Sequence, residues 1–463
     1  METIVTQIVA AVNDVLWNKG LVLLFLLLGS GVYFSIRTRF VQLRKFREGM
    51  HLVFGNIRLV GEGAGKEGMS SFQALATAIA AQVGTGNIAG CATALASGGP
   101  GAVFWMWVSA FFGMSTIYSE AVLAQKFRQT NENGEVTGGP IYYIKAAFQG
   151  KLGAILAGFF AVAITLALGF MGIMVQSNSI GDAFHTAFGV PKPVIGIIIA
   201  CVSAFIFLGG VKRIAAITEK LVPIMACFYI LGSLIAIVMN AGNILPAFQA
   251  IFVGAFHPQA VLGGALGVTV KEAMRFGVAR GLFSNEAGMG STPHAHALAK
   301  VAKPQDQGVV AMIGVFIDTF VVLTMTALVI LTSGVLGTVG ADGELLSGTA
   351  LAQAAFNHSF GGFGNAFVAI CLLFFAFSTI IGWYFFGEAN VKALFKGKKT
   401  ARVAYGVIAL VFIAVGSFQK VSLVWDMSDM FNGLMVIPNL LAVLALSGIV
   451  AKFARDDSNL TGE

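Results

Sequence analysis

Long apolar runs, separated by short polar connections, recur along almost the entire chain. Runs of this length cross about 30 Å of hydrocarbon as helices, because a helix satisfies its own backbone hydrogen bonds where no water is present. Of the 463 residues, 57% are hydrophobic and 11% are charged, whereas about 25% of the residues of soluble domains are charged. The pattern therefore predicts an all-α polytopic membrane protein and excludes a soluble globular domain or a disordered chain.

Eleven transmembrane helices are predicted from the apolar runs. They cover residues 20–36, 70–97, 101–125, 153–181, 193–209, 219–240, 263–298, 307–335, 363–387, 403–419 and 428–451. The first run is expected to remain as a helix, because no basic segment precedes it and no cleavage site follows it. Only the turn at 98–101 separates the second run from the third.

Basic residues predict the orientation of the chain in the membrane. Of the 29 Lys and Arg, 23 fall in alternate connections, at 37–69, 126–151, 212–220, 300–303, 392–402 and after 451. Since cytoplasmic loops carry the excess of Lys and Arg, we expect the N-terminus outside and the C-terminus in the cytoplasm. The basic residues form no single stripe, so the lipid bilayer is an expected partner and nucleic acid is not.

Glycine clusters interrupt the second and seventh spans, at 82–90 and 279–290. The two spans lie five apart, and this odd offset gives them opposite orientations. The pattern is typical of five-plus-five inverted repeats with discontinuous helices at their interface. We therefore divide the chain into an extra N-terminal span with a basic loop (1–69), a first repeat (70–240), a second repeat (241–451) and a cytoplasmic tail (452–463).

Unwinding at glycine frees backbone N–H and C=O groups, which is tolerated at membrane depth only where they line a cavity or bind a ligand. Half-helix N-termini favour a carboxylate and C-terminal carbonyls favour a cation, a combination suited to a zwitterion with an ion. Helix packing would explain a lone glycine, but two clusters beside the amides Gln82, Asn87 and Asn285 favour binding. Ser378 and Thr379 add two hydroxyls near mid-membrane, although such a pair alone more often bonds to its own helix.

Charged residues inside spans are costly and are treated as functional candidates. Arg280 and Glu286 flank the break of the seventh span, and Asp318 lies inside the eighth. For these residues we expect an Arg–carboxylate pair that stabilises the unwound segment or acts as a gate. Glu120 and Glu388 are expected at the cytoplasmic interface.

The sequence contains no H-E-x-x-H, G-x-S-x-G or P-loop motif, each of which would indicate catalysis or nucleotide binding. The chain is therefore not expected to be an enzyme or to use ATP itself. Two classes of function remain, which are transport driven by an ion gradient and passive flow.

Three motifs resemble those of the sodium:alanine/glycine symporter family, which is part of the amino acid-polyamine-organocation superfamily. They are GGPGAVFWMW at 98–107, ARGLFSNEAGMGS at 279–291 followed by PHAH at 293–296, and the stretch 82–90. The resemblance covers essentially the whole chain. It implies a leucine-transporter-type fold with one added N-terminal helix, in the cell membrane of a bacterium or archaeon.

The resemblance also implies a function and a site. The function is a symport of sodium, as the transported coupling ion, with alanine or glycine by alternating access, with no obligatory protein partner evident. The implied substrate contacts are Gln82, Gly84, Thr85, Gly86, Asn87, Gln176, Ser284 and Asn285, with Phe283 and Trp383 beside the substrate side chain. The implied cation ligands are the carbonyls of Ala80, Val83 and Phe375 and the hydroxyls of Ser378 and Thr379.

Two other functions stay open at this point. A proton-coupled amino acid symporter would use Asp318 or Glu286 as the proton carrier. A passive channel for a small solute or ion would need a continuous polar path, whereas the polar residues here cluster at the mid-membrane breaks.

Overall fold

A computed structural model of the protein describes residues 2–55, 68–130, 135–259, 268–341 and 343–455. Among these residues, eight helices are long and apolar enough to cross a membrane. They are Ile4–Arg37, Gly101–Lys126, Gly150–Phe188, Gly210–Met239, Pro304–Ser333, Phe363–Leu394, Lys399–Gly416 and Ser422–Ala445. The all-α membrane architecture predicted from the apolar runs is therefore confirmed.

The helices are, in chain order, α1 (Glu2–Asn13), α2 (Val22–Arg37), α3 (Val41–Arg44), α4 (Phe46–Phe54), α5 (Ser71–Gln82), α6 (Cys91–Gly98), α7 (Gly101–Lys126), α8 (Pro140–Ala147), α9 (Gly150–Leu166), α10 (Ile173–Phe188), α11 (Lys192–Phe207), α12 (Gly210–Met239), α13 (Ile244–Phe256), α14 (Val270–Asn285), α15 (Pro293–Leu298), α16 (Pro304–Val315), α17 (Thr324–Ser333), α18 (Gly348–Phe360), α19 (Phe363–Leu394), α20 (Lys399–Gly416), α21 (Val421–Ala445) and α22 (Ser447–Arg455). Four π-helical segments lie at Asp14–Asn18, Gly86–Gly90, Ala167–Gly172 and Phe316–Leu323, and a 3-10 turn at Ala241–Asn243. Four two-residue strands are β1 (Met69–Ser70), β2 (Gln129–Thr130), β3 (Val136–Thr137) and β4 (Ala299–Lys300).

Every predicted span contains helix within the described ranges. The count of eleven crossings stays a prediction, because two spans are broken and α11 is only 16 residues long. Helices α13 and α18 lie in connections where no helix was predicted. Arg58 and Lys66, the start of the seventh predicted span at 263–267 and the tail residues 456–463 lie outside the described residues.

Both interrupted helices begin at a capping box. The hydroxyl of Ser70 accepts from the backbone N–H of Gln73 at 3.1 Å, and the Gln73 side chain accepts from the Ser70 N–H at the same distance. Thr269 and Glu272 make the equivalent reciprocal pair at the start of α14. These pairs satisfy two otherwise free N–H donors of each helix, so the sequence fixes where each helix begins.

The two interrupted helices run antiparallel with their breaks side by side. The first half of one packs against the second half of the other, since α14 contacts α6 and α15 contacts α5. A short parallel bridge pairs Met69 with Ala299 and Ser70 with Lys300, at the start of α5 and the end of α15. This arrangement agrees with the opposite orientation expected for the second and seventh spans. The complete five-plus-five repeat stays a prediction.

The connections that carry the basic residues meet at one face of the molecule, here called the basic face. Arg44 donates to the carbonyl of Ala454 at 2.8 Å, and Arg128 donates to that of Ala299 at 2.7 Å. A cavity of about 530 Å³ at this face is lined by Gly68, Glu135, Lys212, Leu298, Lys392 and Arg402, among others. The contacts agree with the alternation of basic connections predicted from the sequence.

Candidate substrate and cation site

The first break lies at residues 83–85, between α5 and the π-helical segment. Two backbone N–H groups freed there are bound by amide side chains. Gly84 donates to Asn87 Oδ1 at 2.9 Å, and Thr85 donates to Gln176 Oε1 of α10 at 2.9 Å. The break therefore brings Gln176 to the 83–87 stretch, as the resemblance implied.

Glycine is required at the first break by close approach of other chain segments. A Cβ atom at Gly84 would lie 2.3 Å from Thr379 Oγ1, and one at Gly86 would lie 3.0 Å from Phe283 and 3.1 Å from the Cα of Ser284. The glycines therefore let the unwound segment contact α19 on one side and α14 on the other.

An oxygen cluster adjoins the first break. The Ser378 hydroxyl lies 3.2 Å from the Ala80 carbonyl and 2.8 Å from that of Phe375. The Thr379 hydroxyl lies 2.9 Å and 3.1 Å from the same two carbonyls. Four of the five predicted cation ligands are thus brought together on α5 and α19. The fifth, Val83, is buried in the break itself, directly before Gly84.

The second break, at 286–292, is organised by a buried carboxylate from another helix. Glu120 of α7 accepts hydrogen bonds from the backbone N–H groups of Gly288 at 3.0 Å and Gly290 at 2.9 Å. Asn439 of α21 donates to Glu120 at 2.6 Å and to the Gly288 carbonyl at 2.9 Å. Glu120, which was expected at the cytoplasmic interface, is fully buried within the protein, and its bonds to the second break were not predicted. Nothing in the sequence around Glu120 indicated a partner 168 residues away.

Asp318 connects the two breaks. It lies in the π-helical segment of the eighth span and accepts from Asn87 Nδ2 at 2.7 Å and from the Ser284 hydroxyl at 2.9 Å. The Thr319 hydroxyl donates a third hydrogen bond at 2.9 Å. Among the residues that the structure describes, its partners are neutral donors and no Lys or Arg pairs with it. Asp318 therefore lies beside both breaks, and the predicted substrate and cation contacts did not include it.

Gln82 and Asn285 join the breaks by hydrogen bonds to the backbone and to a neighbouring side chain. Gln82 Nε2 donates to the carbonyl of Asn285 at 2.8 Å. The Asn285 side chain accepts from the N–H of Ala287 at 3.0 Å and donates to Thr319 at 3.2 Å. Asn285 is the last residue of α14 and its side chain binds the backbone just beyond it, whereas Gln82 Oε1 has no hydrogen-bond partner among the described residues.

Three polar side-chain atoms around the first break have no hydrogen-bond partner among the described residues. They are Gln82 Oε1, Thr85 Oγ1 and Gln176 Nε2, and all three residues are buried. Burying an unpartnered polar atom is unfavourable, and most buried polar atoms in proteins are bonded. An amide oxygen, a hydroxyl and an amide N–H without partners, on residues of the first break or bonded to it, are the kinds of group that bind the ammonium and carboxylate of an amino acid.

Aromatic side chains lie against this place. The rings of Phe283 and Trp383 meet edge to face at 5.4 Å, and Phe283 also contacts Trp425 at 4.7 Å. A Cβ atom at Gly172 would lie 2.4 Å from the Trp383 ring, so the opposite side of the indole is also packed. The structure thus brings together the two aromatic residues that were predicted to bound the pocket.

Arg280 makes an ion pair with a residue that the sequence reasoning missed. Its guanidinium donates to both carboxylate oxygens of Asp429 on α21, at 2.5 Å and 2.9 Å, and lies over the Trp425 ring at 4.5 Å. The expected Arg–carboxylate pair exists, but neither Glu286 nor Asp318 is its partner. Asp429 falls in the eleventh predicted span, where its charge was a sign of function that was not used.

Comparison with known proteins identifies the family. The chain matches the sodium:alanine symporter family over residues 1–459. It belongs to that family. A relative from Methanococcus maripaludis, the sodium/alanine symporter AgcS, is 43% identical over 96% of this chain and 95% of its own length. The probable sodium/glutamine symporter GlnT of Bacillus subtilis is 41% identical over 98% of this chain and 91% of its own length.

A solved structure shows the same fold. The crystal structure of MhsT in complex with L-phenylalanine aligns with a TM-score of 0.59 at 14% identity, covering 84% of this chain and 98% of that one. At this identity the likeness concerns the fold alone. Membership of the sodium:alanine symporter family makes this chain an integral membrane protein of amino acid transport by symport, with a cation as the coupling partner.

Proposed function

We propose that this symporter couples the inward flow of sodium to the uptake of a small neutral amino acid, alanine or glycine. The observation that supports this most is the position of the unpartnered atoms of Gln82, Thr85 and Gln176. They adjoin an oxygen cluster, because the Thr379 hydroxyl lies beside Gly84. The proposed zwitterion site and the proposed cation site would thereby adjoin each other.

The oxygen cluster suits sodium as transported cargo. Its oxygens are neutral carbonyls and hydroxyls, which are ligands for a hard cation and can replace a hydration shell. They come from α5 and α19, so an ion bound among them would fasten the first broken helix to α19. Binding of sodium would in this way stabilise the substrate-binding form of the first break, which links the two binding events.

The two ends of the site differ in a way that suits alternating access. On one side, two contacts join α14 to α21. They are the Arg280–Asp429 ion pair and the packing of Phe283 against Trp425. Towards the basic face, the structure has the cavity lined by His294, Glu388 and Asn390. We infer an outer barrier at Arg280 and a cytoplasmic release route at the basic face. Eleven spans, with the N-terminus outside, in a bacterial or archaeal cell membrane complete the proposal.

Proton coupling is the second candidate, and Asp318 favours it. A buried carboxylate that receives only neutral hydrogen bonds is costly when ionised, so binding a proton or another cation would stabilise it. A passive channel has less support, since the polar groups lie around the breaks.

Purified protein in liposomes tests these functions against one another. Labelled alanine should accumulate when sodium is higher outside, with no imposed pH gradient, and glycine should compete with it. Accumulation driven only by a proton gradient would favour Asp318 as the carrier. Equilibration without accumulation would overturn symport in favour of a channel.

A further inference from the structure

Glu286 is a fully buried acid at the first position of the second break. Its backbone has a φ of 59°, a left-handed conformation that residues other than glycine adopt only when their surroundings enforce it. One carboxylate oxygen accepts from the Trp383 indole N–H at 2.5 Å, and the other accepts from the Ser291 hydroxyl. Arg280, six positions before Glu286 in the second broken helix, pairs with Asp429 instead.

Trp383 lies on α19 between the oxygen cluster and the residues that line the cavity at the basic face. Along α19, Thr379 precedes Trp383 by one helical turn, about 6 Å, and Asn390 follows it by about two turns. Asn390 donates to His294 at 2.8 Å, and both residues line the cavity. Trp383 therefore stands on α19 between the proposed substrate pocket and the cavity at the basic face.

Contacts on three sides fix the orientation of that indole. Gly172 leaves no room behind the ring, Phe283 packs against it edge to face, and Glu286 binds its only polar atom. Packing alone limits the position of the ring. The hydrogen bond to Glu286 also determines which way the ring is turned, because an indole N–H buried without an acceptor is unfavourable.

We propose that Glu286 is a positioning residue that sets the size of the amino acid accepted, by fixing Trp383 across the pocket without touching the substrate. The inference rests on the proposed function, because it concerns the selectivity of the same pocket. Since Glu286 belongs to the segment that connects α14 with α15, movement of α15 at the basic face would change the Glu286–Trp383 bond. Size selection and opening towards the basic face would then depend on one hydrogen bond.

Three variants separate the roles of this residue. Glu286→Gln keeps an oxygen acceptor for the indole, and the Ser291 hydroxyl can turn to meet the amide. Glu286→Asn keeps a residue type that tolerates positive φ, but its side chain is one methylene shorter and does not reach Trp383. Trp383→Phe keeps an aromatic ring and removes the N–H donor. Ser291→Ala is the matched control, because it removes only the other hydrogen bond of Glu286.

The measurement is the ratio of kcat/KM for alanine to that for valine in liposomes under a sodium gradient. We expect Glu286→Gln and Ser291→Ala to keep the ratio of the unmodified protein. Glu286→Asn and Trp383→Phe should lower it by about tenfold, within the range by which a hydrophobic pocket discriminates a methylene or two. The double variant Glu286→Asn with Trp383→Phe should resemble Trp383→Phe alone, because both changes remove the same bond.

Several outcomes would overturn the inference. An unchanged ratio in Glu286→Asn, or effects that multiply in the double variant, would show that Glu286 does not act through Trp383. If Glu286→Asn does not fold, Trp383→Phe still tests the proposal. An unchanged ratio of kcat/KM for alanine to that for valine in Trp383→Phe would contradict it. If the unmodified protein takes up valine as efficiently as alanine, there is no size selectivity for Glu286 to set. Failure of that protein to accumulate alanine would instead contradict the proposed function.

Discussion

The two helix breaks are alike in sequence character and differ in how their backbone groups are satisfied. At the first break, neutral amides bind the N–H groups of Gly84 and Thr85. Side-chain atoms of Gln82, Thr85 and Gln176 have no hydrogen-bond partner among the described residues. At the second break, the carboxylate of Glu120 binds Gly288 and Gly290, and Asn439 completes the network.

This difference suggests different roles for the two segments. A carboxylate that accepts several backbone N–H bonds makes strong charge-assisted contacts, which stabilise the backbone of the second break at Gly288 and Gly290. The first break has weaker, neutral contacts and spare acceptors and donors, so it suits a ligand that binds and leaves. If the comparison is right, variants at the first break should affect transport of ion or substrate, and those around Glu120 should affect folding stability.

The largest effect is expected from Ser378→Ala combined with Thr379→Ala. Two of about five oxygen ligands would be lost from a dehydrated ion, whose hydration shell the protein must replace. Sodium-driven uptake of alanine should be abolished, and sodium should no longer raise the Tm. Thr165→Ala is the matched control, because this hydroxyl bonds only within its own helix, to Ala161 at 2.7 Å. Unchanged sodium dependence in the double variant would place the cation site elsewhere.

Removing the Glu120 carboxylate should destabilise the protein. In Glu120→Ala the N–H groups of Gly288 and Gly290 lose their acceptor, at a cost of about 1–3 kcal/mol for each group. The Tm in detergent should fall, with or without substrate. Ser119→Ala, which removes a neighbouring hydroxyl bonded to Ser115 of its own helix, should have a much smaller effect. Equal Tm values for the two variants would show that the second break does not depend on Glu120.

Truncation of Phe283 should enlarge the pocket at its contact with Trp383. We expect Phe283→Ala to admit larger side chains and to weaken alanine binding by about 1–3 kcal/mol, the scale of a hydrophobic pocket contact. Competition by leucine against labelled alanine measures the first change, and the KM for alanine the second. Phe367→Ala, in an aromatic cluster with Phe356, controls for loss of packing in general. Unchanged selectivity would mean that Phe283 does not bound the pocket.

The smallest effect is expected from Gln176→Ala. The variant loses the bond to the Thr85 N–H and the free Nε2 donor, and a neutral hydrogen bond contributes about 1 kcal/mol. The KM should rise about fivefold for alanine and glycine alike, because the contact addresses groups that every amino acid shares. A change in selectivity without this common loss of affinity would assign Gln176 to the side-chain pocket.

The sequence by itself determined the class of protein and the positions of both breaks. Apolar runs dictate membrane helices because the bilayer acts on each segment locally, and glycines at 84, 86, 288 and 290 interrupt those helices where they stand. The hydroxyl pair Ser378 and Thr379 was also visible in the sequence, because it stands inside an apolar run. Its assignment to a cation site came from family resemblance, as did the inclusion of Gln176.

Only the tertiary structure decided which charged group serves which break. Arg280 pairs with Asp429 across 149 positions of sequence, Glu120 reaches Gly288 across 168, and Asp318 meets Asn87 across 231. A pattern of apolar residues says that a charge in a span needs a partner, and it contains nothing about which helix supplies that partner. The choice follows from the packing of the helices, because a buried charge interacts with whatever donors that packing brings within hydrogen-bonding distance.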